Sequence, residues 1–416
     1  MASRMTVAAT SVELRVPPSP LGANGLPTSP VASVESPLEA NVALFGMGNE
    51  RTLLLTVDLL FVGAEITRRV RDAAGRCDPS VSVWISASHT HRAPAVDLGK
   101  PGLGVASPGT VSAVADQLCV AVEHLLSGAQ RARPVRPMLG QTDMSGLSVH
   151  RRSRGRVRLT RQGVRWGGIV AAPDFAAPVQ RDATRIDWID DAGNVALVMW
   201  HWACHATAYP DPMRVSADYI GVARDCLREK VGPVPVLFLQ GFAGDIRPPA
   251  IRSLRRDPLR RALIGPGFRR FTATEYNEWS QEIGRRVADV SLADFPSNRR
   301  DGVIESERRE HSAGQFVKGG QTPTFVQQSL KVGPLRLHGF SAEPSFGHRP
   351  RTVNPSTDWY CGYLEDVYGY LPTEKQYHEG GYEVDGFCSP FGCESLELRG
   401  IGYFTSIISQ SGVPDV

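Results

Sequence analysis

Residues 51–91 read RTLLLTVDLLFVGAEITRRVRDAAGRCDPSVSVWISASHTH, and this stretch decides the fold class. The apolar run over residues 51–62 has the length and the β-branched content of a buried strand. Residues 64–76 follow as a helix that ends near Gly75, and residues 80–88 form a second buried strand. This order of strand, helix and strand predicts an α/β domain.

Strands and helices continue to alternate along the rest of the chain. Turn-forming residues indicate an extended lead-in over residues 17–38. We expect one large α/β domain over residues 1–416, with its functional residues at the ends of strands. The remaining predictions are helices at 109–129, 218–231, 272–290 and 394–409, strands at 235–240, 302–310 and 326–339, and hairpins at 156–170 and 184–200.

The composition excludes several classes of protein. Hydrophobic residues make up 42% and charged residues 21% of the 416 residues, which is ordinary globular usage and excludes a wholly disordered chain. The net charge is +3 and the sequence contains no polybasic domain, so we expect no nucleic-acid partner. No apolar run reaches the roughly 20 residues of a membrane helix. The first residues lack the apolar core of a signal peptide, which predicts a cytoplasmic protein.

Two local features have competing interpretations. Residues 252–270 (RSLRRDPLRRALIGPGFRR) form an Arg-dense insertion, which is either a lid that attracts anions or a solvated helix face with a loop. The second interpretation is the simpler one. Cys388 and Cys393 have a spacing that could bind a metal, but no second Cys or His pair accompanies them. Two ordinary thiols are therefore the preferred interpretation.

Histidines follow two of the predicted strands. His89 and His91 come directly after a buried strand, and residues two apart in an extended segment share a face. Imidazole suits zinc and related metals, so this pair is a candidate for a metal site or a structural pair. His205 follows a later apolar strand and is a further candidate ligand. His201 is more typical of local packing, and Cys204 of a small buried thiol.

Three further segments carry glycines or acids after strands. The first is QGFAGDI at residues 240–246, the second is Glu343 before Pro344, and the third is the Tyr- and Gly-rich segment 360–382. Glycines let the backbone approach a ligand closely. A plain tight turn or an aromatic-packed loop would have the same pattern, so each segment is a weak signal alone.

The ordered series of motifs resembles the neutral/alkaline, non-lysosomal ceramidase family. The motifs are SASHTHRAP (86–94), WACHAT (202–207), GFAGDI (241–246), SAEP (341–344) and YGYLPTEKQYHEGGYE (368–383). The resemblance runs from about residue 5 to residue 412. It implies a single catalytic domain of mixed sheets flanked by helices, in a short form without the C-terminal immunoglobulin-like domain of long ceramidases.

The resemblance also implies a set of site residues. His91, beside the metal, would orient substrate or move a proton, and Tyr370 would be both ligand and catalytic residue. Arg151 would contact the substrate or the oxyanion, although His150 replaces the Asn that precedes this Arg in the family. The implied zinc ligands are His89, His205, Glu343 and Tyr370.

The chemistry of such a site agrees with the residue types. A zinc ion with an open coordination position polarises a carbonyl and lowers the pKa of bound water to about 7. Asp58 and Asp218 are candidates for orienting the ligand imidazoles, or for turn and helix-cap acids. The same donor types also hold iron or manganese, so the identity of the metal stays open.

The sequence departs from the family in the loop after the predicted strand at 235–240. Gln240 and Gly241 stand where the ceramidases carry a Ser that contacts the scissile region, and Arg247–Pro248 replaces Ser-Pro. We assign Gln240, Gly241 and Arg247 to substrate binding. The altered loop favours a smaller, more polar or anionic amide over ceramide.

The leading hypothesis is a zinc-dependent hydrolase that cleaves an N-acyl amide by metal-activated water. The substrate is either a small N-acyl metabolite or an N-acyl lipid such as ceramide. Alternatives are an esterase or lactonase, or an amide-forming acyltransferase, on the same zinc site. A non-catalytic binding protein with this fold is a further alternative, which the missing Ser supports and the complete ligand set opposes.

Overall fold

The computed structural model describes residues 4–22, 29–100, 103–155, 157–160, 163–252, 266–295, 303–312, 324–350, 354–367, 369–385 and 398–410. The helices are α1 Ala64–Cys77, α2 Pro108–Leu126, α3 Asp218–Val231, α4 Ala273–Ala288, α5 Glu374–Glu379, α6 Tyr382–Asp385 and α7 Leu398–Gln410. The strands are β1 Thr6–Glu13, β2 Glu39–Met47, β3 Glu50–Val57, β4 Ser82–Ala87, β5 Arg133–Asp143, β6 Val149–Arg154, β7 Val157–Thr160, β8 Gly163–Trp166, β9 Ile169–Asp174, β10 Asp182–Asp190, β11 Val195–Trp202, β12 Val236–Gln240, β13 Ile246–Arg247, β14 Ala293–Asp294, β15 Ile304–Ser312, β16 Thr324–Val332, β17 Leu335–Phe340, β18 Glu343–Pro344, β19 Asp358–Cys361 and β20 Tyr370–Leu371.

A large mixed sheet forms the centre of the molecule. Its strands run in the order β12-β11-β10-β5-β1-β2-β3-β4, and β14 adds to β5. The pairs β3/β4 and β11/β12 are parallel, whereas the pairs between them are antiparallel. A second sheet, β15-β16-β17-β19, and a small sheet, β13-β6-β9, complete the main framework. The prediction of an α/β fold with mixed sheets and flanking helices is confirmed.

Alternation along β3 explains how the large sheet is covered on both faces. Leu53 and Leu55 belong to a buried cluster with residues of α1 and α2, including Ile66 and Val114. Leu54 points to the other face and joins a cluster with residues of the second sheet. Each fully buried Leu or Ile contributes about 1.5–3 kcal/mol relative to exposure. The architecture is therefore a layer of helices, the large sheet and the second sheet.

A second pair of helices covers the β11 and β12 end of the large sheet. Trp200 and Phe238 of these strands lie in a buried cluster with Tyr219 of α3 and Trp279 of α4. The α4 helix begins with a capping box, in which Thr272 and Glu275 exchange hydrogen bonds with each other's backbone N–H. Such a cap satisfies donors that the first turn leaves free. This packing holds the loop after β11 against a rigid support.

Most predicted elements are present, with shifts at their ends. The prediction for 218–231 agrees with α3, and 235–240 is close to Val236–Gln240. The predicted strand 326–339 is wrong as a single element, because a turn at Gly333 and Pro334 divides it into β16 and β17. The predicted strand 51–62 ends earlier, at Val57.

Strands β1, β2 and β5 had no counterpart among the predictions. They carry alternating or small residues, and β1 and β5 pair with the sequence-distant strands β2 and β10. Most of the Arg-dense insertion, residues 253–265, and both Cys388 and Cys393 lie outside the described residues. Within the described part, no helix is long and apolar enough to cross a membrane.

Candidate metal centre

Two loops that follow parallel strand pairs, at opposite ends of the strand order of the large sheet, meet in space. The loop after β4 carries His89 and His91, and the loop after β11 carries His205. A parallel bridge joins Thr90 to Ala206, and the His91 N–H donates to the Ala206 carbonyl at 3.1 Å. Strand ends are where α/β sheets place their ligands. The structure thus brings His205 next to His89 and His91, from which it is separated by more than 100 residues in sequence.

The backbone of His89 adopts a conformation that is uncommon for a residue with a side chain. Its φ angle is 64°, in the left-handed region, and Tyr363 has the same value. The two rings pack against each other with centroids 4.2 Å apart. Left-handed geometry at non-glycine residues costs about 1–3 kcal/mol and persists where the surroundings enforce it. The fold therefore holds the His89 imidazole in this position at a cost in stability.

Main-chain carbonyls fix the orientation of two of the imidazoles. His89 Nδ1 lies 3.0 Å from the Leu60 carbonyl oxygen. His205 Nδ1 lies 2.6 Å from the Ala243 carbonyl and 3.0 Å from the Ile246 carbonyl. Because a carbonyl only accepts, these contacts place the proton on Nδ1 and leave the Nε2 lone pair free. Metal-binding histidines are commonly held in this way.

The two free Nε2 atoms converge on one carboxylate. Glu343 Oε2 lies 3.3 Å from His89 Nε2 and 3.3 Å from His205 Nε2. Neither Glu343 Oε2 nor His205 Nε2 has a hydrogen-bond partner among the described residues, although both are buried. Buried polar atoms without partners are rare and carry a desolvation cost. Their position around one point fits a cation that would satisfy them.

His91 completes the cluster. Its Nε2 lies 3.3 Å from His89 Nε2, and ligand atoms of His89, His91 and His205 all lie within 4.8 Å of one another. These three rings and the Glu343 carboxylate could supply donors to one metal ion. Nitrogen donors with a carboxylate are typical of zinc, and also of iron and manganese.

The protonation states suit metal binding. Burial lowers the pKa of His205 to about 4, although contact with Glu343 opposes this shift. Burial also lowers the pKa of His91 well below its ordinary value, with His89 adding to the effect. Burial alone would raise the pKa of Glu343, but His89 and His205 outweigh it and hold this pKa well below its usual range. At neutral pH His91, His205 and Glu343 are therefore deprotonated, as ligation requires.

Glu343 is positioned by a short parallel bridge and a glycine contact. It pairs with Tyr370 between β18 and β20, and the Glu343 N–H donates to the Gly369 carbonyl at 2.6 Å. A Cβ on Gly244 would lie 2.6 Å from the Glu343 carbonyl oxygen. Only glycine permits this close approach, so the fold requires a glycine at position 244 of the GFAGDI motif. Burial raises the pKa of Tyr370, and the charge of Arg151 opposes that shift.

Arg151 lies beside Tyr370 at the rim of the cluster. Its guanidinium carbon is 5.2 Å from the Tyr370 ring centroid and 5.3 Å from that of Tyr382. The Arg151 Nε donates to Glu383 Oε1 at 2.8 Å, and another nitrogen donates to the Gly244 carbonyl at 2.6 Å. These contacts fix a positive charge next to the predicted ligand Tyr370. Such a charge can stabilise a developing oxyanion.

Asp245 lies at a buried junction behind Arg151. Its Oδ2 contacts His150 Nε2 at 3.0 Å and accepts from Gln376 Nε2 at 2.7 Å, while Oδ1 accepts from the Phe346 N–H at 2.8 Å. Burial would raise the pKa of Asp245, but these hydrogen bonds, led by that of His150, lower it to about 2. Asp245 therefore joins four segments that surround the site.

The two acids that were candidates for orienting the imidazoles, Asp58 and Asp218, make other contacts. Asp58 is paired with Arg224 at 2.5 Å, and Asp218 accepts from the backbone of Ala208, Tyr209 and Tyr219. The hypothesis that either acid orients a ligand imidazole is therefore wrong. Main-chain carbonyls take this role, because they close the loops next to both histidines.

Gln240 and Gly241 lie beneath the histidine loops. The Gln240 amide donates to the Cys204 carbonyl at 2.7 Å and the Ser88 carbonyl at 3.4 Å, and its oxygen accepts from the Cys204 N–H at 3.3 Å. A Cβ on Gly241 would lie 2.9 Å from Ala203 Cβ. These contacts favour positioning of the loops over the predicted contact with substrate.

Three residues of the site were missed in the sequence. Tyr363 packs on His89, Glu383 holds Arg151, and Tyr382 lies beside Tyr370 with ring centroids 5.7 Å apart. Their only sequence signal was the Tyr- and Gly-rich segment, which the motif at residues 368–383 extends to Glu383. It marked the segment without separating the members that face the site from those that pack elsewhere.

Comparisons with known proteins bear on the fold of the chain. No family model and no curated protein matches the sequence. Among solved structures, neutral ceramidase from Pseudomonas aeruginosa superposes with a TM-score of 0.73 at 13% identity, over 99% of this chain and 74% of that one. A ceramidase complexed with C2 gives 0.72 at 14% identity, over 99% and 75%. The chain therefore has the fold of the neutral ceramidases.

Proposed function

We propose that the protein is a zinc-dependent hydrolase that cleaves an N-acyl amide bond. The observation that carries the proposal is the convergence of His89 Nε2 and His205 Nε2 on Glu343 Oε2, each at 3.3 Å. The likeness to ceramidase structures supports an amide as the bond that is cleaved. We assign His89, His205, Glu343 and Tyr370 as ligands.

Zinc held by these four residues would act as a Lewis acid on the scissile carbonyl and would lower the pKa of bound water to about 7. His91 is neutral at neutral pH, since burial lowers its pKa, and its ring can accept a proton from the attacking water. The same imidazole then donates this proton to the leaving amine. Arg151 holds a fixed positive charge beside the reacting carbonyl, which stabilises the oxyanion.

The cluster binds its reactants away from bulk water. His89, His205 and Glu343 are almost fully buried, and Phe61 packs against the His89 ring with centroids 5.2 Å apart. Low solvent access strengthens the interaction between Arg151 and the developing charge.

Elemental analysis of the purified chain, followed by an acyl-amide panel with matched esters, tests the proposal. We expect about one zinc per chain and hydrolysis of an amide, with both lost in His89→Ala. His124→Ala is the matched control, because His124 is exposed on α2. Absence of metal, even after zinc titration, would reject the hydrolase. Cleavage of esters alone would favour the esterase, and metal without turnover would favour the binding protein.

A further inference from the structure

One arginine near the cluster lies on the same small sheet as Arg151. Arg247 pairs with Val149 and Ile246 pairs with His150 between β13 and β6. The Arg151 N–H donates to the Asp245 carbonyl at 2.8 Å, which continues the same register. Arg247 and Arg151 are therefore diagonal neighbours across the ribbon, and diagonal side chains lie on one face within reach of each other.

Within the described part of the chain, Arg247 differs from the neighbouring arginines in having no acidic partner. Arg151 and Arg152 both pair with Glu383. Among the described residues, no carboxylate lies within ion-pair distance of Arg247, and its buried Nε has no hydrogen-bond acceptor. The guanidinium instead lies over the Phe268 ring, 4.2 Å from the centroid. A cation–π contact leaves the N–H donors of its planar edge unused.

Burial beside a second positive charge makes it energetically costly for Arg247 to lack a carboxylate partner among the described residues. Burial lowers the pKa of Arg247 to about 10, and the charge of Arg151 adds to this shift. Arg247 is still protonated at neutral pH. A partly dehydrated cation beside a second cation gains more from an anion than an exposed arginine does. The planar fork of guanidinium matches a carboxylate with two parallel hydrogen bonds.

We infer that Arg247 binds a carboxylate of the substrate, so that the preferred N-acyl amide is anionic. The inference rests on the proposed function and narrows its substrate class. Because Arg247 and Arg151 share a face, the carboxylate lies a few bonds from the scissile carbonyl. It belongs either to the amine, as in an N-acyl amino acid, or to the acyl group, as in the monoamide of a dicarboxylic acid. A neutral amide such as ceramide offers no such group.

The test compares matched substrates in the zinc-loaded protein. N-acyl glycine is paired with the N-acyl ethanolamine of the same chain length, and a succinic monoamide with the butyric amide. We expect wild type to prefer the anionic member of one pair by roughly 10- to 100-fold in kcat/KM. In Arg247→Gln this preference disappears, because the KM of the anionic member rises far more than the KM of the neutral member. Arg247→Lys restores part of the preference.

Arg252→Gln is the matched control, since it removes an exposed positive charge from the same segment. It leaves the preference unchanged if Arg247 acts by direct contact. Equal rates for anionic and neutral members in wild type would overturn the inference, and so would an equal loss for both members in Arg247→Gln. The pair that shows the preference identifies which side of the amide carries the carboxylate.

A binding measurement separates this inference from the proposed function. If no amide is turned over, calorimetric titration of the metal-stripped protein with N-acetylglycine and with N-acetylethanolamine still tests Arg247. Tighter binding of N-acetylglycine that is lost in Arg247→Gln supports the anion site without hydrolysis. Binding of neither compound, or equal binding of both, rejects it.

Discussion

Glu383 joins the two consecutive arginines of β6. One carboxylate oxygen accepts from Arg151 Nε at 2.8 Å, and the other accepts from Arg152 at 2.5 Å. Arg152 and Glu383 are almost fully buried, so neither charge has water as an alternative partner. The orientation of Arg151 toward Tyr370 therefore depends on an acid that lies 232 residues away in sequence.

Glu383→Gln is expected to reduce kcat without loss of zinc. The neutral amide leaves Arg151 free to turn from the reacting carbonyl, and loss of one fixed donor typically costs roughly 100- to 1,000-fold in rate. Breaking the buried pairs should also lower the free energy of unfolding by about 3–5 kcal/mol. Kinetics, zinc content and urea unfolding measure the three quantities.

Glu379→Gln serves as the control, because Glu379 lies 3.5 Å from Arg152 and Arg154 and does not contact Arg151. It should retain kcat. A Glu383→Gln variant with normal kcat would exclude the positioning role of Glu383.

Removal of the metal is expected to destabilise the folded protein. A ligand that binds only the folded state stabilises it by about 2.7 kcal/mol at a free concentration 100 times its Kd. Glu343→Gln should lose most of this gain, because it removes the only anionic donor that contacts both His89 and His205 among the described residues. Thermal unfolding with and without a chelator measures the effect. Glu13→Gln, on the surface, should behave as wild type, and identical chelator responses in both variants would disprove the ligand role of Glu343.

Gly244→Ala should disturb Glu343 without touching the donors themselves. The added Cβ would lie 2.6 Å from the Glu343 carbonyl and 2.9 Å from the Pro344 carbonyl. Forced overpacking of this kind costs about 1–3 kcal/mol, and the strand that carries Glu343 must move. We expect lower stability and weaker zinc binding, measured by urea unfolding and zinc titration.

Gly75→Ala is the comparison, since a Cβ there meets nothing within 4 Å and Gly75 lies in α1. It should raise stability by about 0.5–1 kcal/mol and leave zinc binding intact. Unchanged zinc affinity in Gly244→Ala would show that the loop tolerates the shift.

Asp245 should make the protein sensitive to acid below about pH 4. Hydrogen bonds from His150 and others lower its pKa from 3.8 to about 2 in the folded state. The unfolded state therefore binds more protons, so the stabilisation is present above pH 4 and is lost as the pH falls toward 2. The shift corresponds to about 2 kcal/mol.

Urea unfolding at pH 2–6 of wild type and Asp245→Asn tests this expectation. The difference in free energy of unfolding between the two proteins should shrink as the pH falls from 4 to 2. A difference that stays constant over this range would mean that Asp245 has an ordinary pKa in the folded protein.

Local pattern was enough to predict the parts of the fold that depend on burial and period. The apolar runs of β3, β4, β11 and β12 are long enough to be recognised as strands without their partners. Strands β1, β2 and β5 are different, because small and polar residues such as those of Arg133–Asp143 become strand only through pairing. The hairpin at Gly333 also needed the structure, since its two arms form one continuous pattern.

The sequence by itself determined that His89, His91 and His205 follow buried strands, and the order of motifs predicted their meeting. Only the tertiary structure decided which atoms converge. The carbonyls of Leu60 and Ala243 contact Nδ1 of His89 and His205, so that both Nε2 atoms point toward Glu343. It also decided the partners of the charged residues: Asp58 binds Arg224, Glu383 binds Arg151, and Arg247 has no carboxylate within the described residues. Periodicity is a local property of the chain, whereas the pairing of charges depends on register and on contacts across hundreds of residues.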